Sequence, residues 1–153
     1  MPGEGSLAML DFMESLRALL KSDATVYAAV GERIYPDQAK KGAAFPFIVY
    51  ELDSETELAS FETPSNTLRT AAVTISCYYE ESPTGAGGRR TAARTLANAV
   101  AAKLRNYSGT ISGGVTVSGT DSIELRTGFP QDESGDYRMV SMSVGCNIWY
   151  YLS

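Results

Sequence analysis

The stretch Tyr137-Arg138-Met139-Val140-Ser141-Met142-Ser143-Val144-Gly145-Cys146-Asn147-Ile148-Trp149-Tyr150-Tyr151 decides the fold. Val140, Met142, Val144, Cys146, Ile148 and Tyr150 share one parity, and Ser141, Ser143, Gly145 and Asn147 share the other. A period of two belongs to a strand with one buried and one polar face, the habit of antiparallel sheets. The inward face of this strand is expected to form the core.

Working outward, Thr70 to Glu80 repeats the pattern, with Val73, Ile75, Cys77 and Tyr79 set against Thr74, Ser76 and Tyr78. The β-rich run Phe45 to Leu52 predicts an earlier strand, with Pro46 tolerated near its start or at an edge. Val115, Val117 and Ile123 mark a further strand, interrupted by Gly119 where a bulge is expected.

Between the strands the period changes. Met9, Phe12, Met13, Leu16, Leu19 and Leu20 follow helical spacing, with Asp11, Glu14, Arg17 and Lys21 opposite. Ser22-Asp23 offers a new cap, and Ala24 to Val30 reads as a short helix stopped by Gly31, with Pro36 closing the unit. Arg90 to Arg105 carries Ala93, Leu96, Ala97, Val100 and Leu104 on one face, and its alanines suit close packing on a sheet. The stretches 53–66, 81–88, 108–114 and 126–136 read as loops or links, the first alternatively as a hairpin connection with a long arm.

The expected fold is therefore α+β: an antiparallel sheet of about four strands with the helices packed on one face, in the order α-α-β-β-α-β-β. A chain of 153 residues, 44% of them apolar, suits a single domain, with residues 1–6 expected to be a flexible N-terminus.

Composition excludes several kinds of function. The net charge of -5 gives no field for phosphate backbones, so nucleic-acid binding is not expected. No apolar run approaches the roughly 18 residues of a membrane span, and Met1 to Ser6, without positive charge or a following apolar block, is not expected to be a signal peptide. There is no histidine, which removes Ser-His-Asp and Cys-His catalysis and His-ligated zinc. Cys77 and Cys146 both lie in alternating apolar patterns and read as buried reduced thiols.

Three chemical patterns deserve weighing against plainer readings. Gly85-Ala86-Gly87-Gly88-Arg89-Arg90-Thr91 stands before a helix like an anion-binding turn, but its spacing fits no phosphate-loop pattern, and a flexible turn is favoured. Asp132, Glu133 and Asp136 do not follow the order of a calcium loop and read as a solvated acidic turn. Glu51, Asp53, Glu55 and Glu57 have no visible partner for carboxylate catalysis. No catalytic, metal or cofactor residue is assigned. Tyr78, Trp149 and Tyr151 share the outward parity and, with Phe61 and Phe129 in the loops, are the candidate subunit-interface residues.

A resemblance runs through the chain. Arg33-Ile34-Tyr35-Pro36, then Phe45-Pro46-Phe47-Ile48-Val49-Tyr50, then Val73-Thr74-Ile75-Ser76-Cys77-Tyr78 before an Ala-rich helix, then Gly135-Asp136-Tyr137-Arg138 and Ile148-Trp149-Tyr150 together resemble the tail-completion (tail-terminator) family of long-tailed bacteriophages. The likeness spans Leu10 to Tyr151 and rests on the order of these strings; the polar insert Ser82 to Gly88 departs from it.

The resemblance implies a non-enzymatic virion protein, without cofactors, assembled in the host cytoplasm and sited at the head-tail junction. It would cap the tail tube and stop its polymerisation as a ring of about six copies. Its partners would be itself, the tail tube protein and a head-tail connector or stopper protein. The alternatives are a neighbouring neck protein, a stopper or an adaptor, and a small-molecule-binding α+β domain.

Overall fold

The computed structural model describes residues 4–57, 68–81, 89–111, 115–128 and 138–152. Alternating apolar residues place the longest strands, and their pairing builds one sheet. The strands are β1 (Ile34–Pro36), β2 (Phe47–Glu57), β3 (Arg69–Glu81), β4 (Gly109–Ile111), β5 (Val115–Gly128) and β6 (Arg138–Leu152). They lie in the order β1-β2-β3-β6-β5-β4. The short β1 runs parallel to β2, and every other neighbouring pair is antiparallel.

The sheet has six strands where four were expected. The two additional strands are three-residue edge pieces. Ile34–Pro36, read as the close of a helical unit, pairs with Ile48–Tyr50. Gly109–Ile111, read as part of a link, pairs with Val115–Val117. Three residues show no usable period, and pairing to a longer neighbour supplies what local pattern lacks. The element order becomes α-α-β-β-β-α-β-β-β. Residues 53–57 extend β2, in keeping with the hairpin-arm reading, while 126–128 belong to β5 rather than to a loop. Residues 58–66, 82–88, 112–114 and 129–136, with the other expected loops and the acidic turn, lie outside the described residues.

Three helices complete the fold: α1 (Glu4–Lys21), α2 (Ala24–Val30) and α3 (Arg89–Leu104). Helix α1 already includes residues 4–6. Helix α2 begins at Asp23, whose side chain accepts from the Val26 amide, and ends at Gly31 with φ +56°. That value lies in the left-handed region glycine tolerates.

The helices cover the predicted inward face. Ala71, Val73, Ile75 and Cys77 of β3 stand opposite Ile148, Cys146, Val144 and Met142 of β6, and all are buried. Ala93, Ala97 and Ala101 of α3 are buried against β3 and β6, their small side chains bringing the helix close. Phe12 of α1 stacks on Tyr150 with ring centroids 4.4 Å apart. These residues form one hydrophobic cluster, in which each fully buried aliphatic side chain contributes roughly 1.5–3 kcal/mol. Cys77 and Cys146 are free and buried.

Candidate functional site

Among the described residues no helix packs on the other face of the sheet, and its character follows from the second parity of the same strands. Across β3 and β6 this parity supplies small polar residues, among them Thr74, Ser76, Ser143, Gly145 and Asn147. The floor is therefore low. Ser76 and Ser143 join their hydroxyls at 2.9 Å.

Two bulges raise walls beside this floor. One breaks the β2–β3 register between Leu52 and Ser54, the other the β5–β6 register between Asp121 and Glu124. Both fall at the same level: Ser54 pairs with Ala72, Ala72 with Asn147, and Asn147 with Asp121. A bulge adds a residue to one strand and increases its local bend. Bulges at one level on two flanking strands frame a concavity of about 270 Å³, lined by Asp53, Thr74, Ser122, Glu124, Arg126 and Ser143 among others.

Two pairs of its polar groups are engaged with one another. Thr74 donates its hydroxyl to Asp53 Oδ2 at 2.5 Å. Arg126 donates both Nε and an Nη to the two oxygens of Glu124, each at 3.1 Å. That hydrogen bonding, with the adjacent positive charge, holds the exposed Glu124 carboxyl below its ordinary range. Cys146 also borders the concavity, and burial pushes its thiol up to about 12. It is protonated at neutral pH, and the thiolate is the nucleophilic form of cysteine. The arrangement offers hydrogen bonds and charge to a docking surface.

The acidic run of β2 is dispersed. Glu51 and Asp53 belong to the open face, where Asp53 meets Thr74. Glu55 accepts from the buried Tyr150 hydroxyl, and Glu57 lies 3.8 Å from Arg69. Among the described residues no group of three or more His, Cys, Asp or Glu is gathered to hold a metal ion. No described helix is long and apolar enough to cross a membrane.

The outward aromatic residues share a face but occupy separate parts of it. Tyr78 stacks on Phe47 with centroids 5.1 Å apart, and Tyr35 and Phe45 complete a cluster around Phe47. This cluster was not anticipated, because Phe47 was read only as part of a strand. Trp149 stands at the other end, opposite Thr70, and donates its indole N–H to Asp121 at 3.1 Å. Tyr151 lies beside Thr116. Tyr78 is thus apart from Trp149 and Tyr151, while Phe61 and Phe129 lie outside the described residues. The residues lining the concavity were also missed. Their signal was the polar parity of β3 and β6, but the bulges that frame them have no comparable signature.

A chain of the virion of a native gene transfer agent particle aligns with TM-score 0.52 and 20% identity, covering 88% of this chain and 91% of its own, which is a likeness of fold. A second solved structure aligns at TM-score 0.45 and 13% identity over 98% of this chain and 96% of its own, too distant to carry an argument. No curated protein matches. The family described as Tail completion protein gp17 matches residues 14–151, from the first helix to the end of the last strand. The chain therefore belongs to the tail completion protein gp17 family of bacteriophage virion structural proteins.

Proposed function

We propose that this protein caps the finished tail tube, ends its polymerisation and joins it to the head connector, acting as a ring of about six copies. The family match over residues 14–151 is the observation that carries this reading. The protein works by docking and not by catalysis. Its partners are further copies of itself, the tail tube protein and a connector or stopper protein, and it resides in the virion after assembly in the host cytoplasm.

The sheet supports such a role physically. A ring needs two different patches on one subunit, and this chain presents different surfaces at its two sheet edges and on its open face. Trp149 and Tyr151 at one end of that face, and Tyr78 at the other, are half-buried and supply separate aromatic anchors of the kind that dominate contacts.

Electron microscopy of a lysate in which this gene is disrupted tests the proposal. Unjoined heads together with tails of irregular or excessive length are the expected outcome. Joined particles with tails of normal length overturn it, and regular tails that merely fail to join assign the chain to a neighbouring neck position.

A further inference from the structure

The two long flanking strands are each covered for only part of their length. Strand β1 pairs with Ile48–Tyr50 of β2, and β4 pairs with Val115–Val117 of β5. Among the described residues, 51–57 of β2 and 118–128 of β5 have no strand on their outer sides. Each presents a row of backbone donors and acceptors, which is the template for adding another strand.

These two edges match in level and run in opposite directions. Glu51 pairs with Thr74, Thr74 with Gly145, and Gly145 with Glu124, so both free segments flank the same part of the sheet. Three successive antiparallel pairings separate β2 from β5, so the two strands run in opposite directions. A copy placed beside the first in the same orientation brings its β2 antiparallel to the first copy's β5, the more stable of the two ladder types.

We infer that neighbouring copies join edge to edge, the free segment of β5 on one adding to the free segment of β2 on the next, which makes the ring a continuous antiparallel sheet. This rests on the ring reading above and names its contact. The contact is heterologous: each subunit uses β5 on one side and β2 on the other, so it propagates and closes by rotation.

The side chains leave this route open. Asp53, Glu55 and Glu57 are drawn to Thr74, Tyr150 and Arg69 of their own sheet, and Asp121 and Glu124 to Trp149 and Arg126. One register sets Arg126 against the neighbour's Glu51, an opposite-charge cross-strand pair. The irregularity at Leu52/Ser54 in β2 and the two at Val117/Gly119 and Asp121/Glu124 in β5 disfavour the addition of an arbitrary strand in any register.

Cysteine cross-linking tests the inference in the assembled ring, on the purified protein at high concentration or on tail ends. Glu51→Cys is combined in turn with Asp121→Cys, Glu124→Cys and Arg126→Cys, all on the open face. Mild oxidation is expected to give a ladder of covalent multimers from at least one double variant and only monomer from each single variant. Rings seen by microscopy that yield no ladder from any combination overturn the edge contact and leave the ring standing. A covalent dimer from Glu51→Cys alone shows β2 pairing with itself and also overturns it. Absence of rings from unsubstituted protein in both settings removes the ring reading and this contact together.

Discussion

At the scale of single residues, Tyr150 carries more of the structure than its place in an alternating strand implies. Its ring is fully buried and stacks on Phe12, while its hydroxyl reaches past β3 to donate to Glu55 of β2. The two functions separate by substitution. Tyr150→Phe keeps the stack and removes the donor, leaving an acceptor on a solvent-accessible residue, and is expected to cost about 1 kcal/mol. Tyr150→Ala removes the ring as well and is expected to cost about 3–5 kcal/mol. Urea denaturation of both variants checks this, and equal losses would remove the ring as the dominant contribution.

Among the elements, α3 shows how composition sets distance. Ala93, Ala97 and Ala101 are buried against the sheet, so the helix backbone packs nearer than leucines would permit. A larger side chain at the centre of that row must displace the helix or take a strained rotamer. Ala97→Leu is expected to destabilise by about 1–3 kcal/mol, although it raises apolar content. A lowered denaturation midpoint checks it, whereas an unchanged midpoint would show space between helix and sheet.

The same scale shows what could be read in advance. The inward row of β6, the β3 alternation, the alanine face of α3 and the Asp23–Gly31 limits of α2 follow from local period and capping. The edge strands did not, because Ile34–Pro36 and Gly109–Ile111 owe their extended form to a neighbour already in place. Nor was the extent of β2 clear, since an acidic stretch reads as a loop until pairing with β3 holds it extended.

Across the whole molecule, burial couples stability to alkaline pH. Burial raises the thiols of Cys77 and Cys146 from an ordinary 9.0 to about 12. Burial, followed by the hydrogen bond to Glu55, also pushes the Tyr150 phenol up. Groups whose folded pKa lies above the unfolded value contribute stability that is complete below the unfolded value and lost as pH rises toward the folded one. Stability is therefore expected to be level with respect to these groups near pH 7 and to fall from about pH 9 towards 12. Denaturation midpoints across that range check this. Replacing both cysteines by alanine should flatten part of the fall, and an unchanged slope would remove the thiols as its source.

The sequence by itself determined the fold class, the buried face of the long strands, the helices above it and the family likeness that the comparison over residues 14–151 bears out. These depend on period and on the order of short strings, both written locally along the chain. Only the tertiary structure decided the number of strands, the level shared by the two bulges, the separation of Tyr78 from Trp149 and the matched free edges of β2 and β5. Each of these is a relation between residues far apart in the chain, set by register and strand order, and parity along one strand carries no information about what lies beside it.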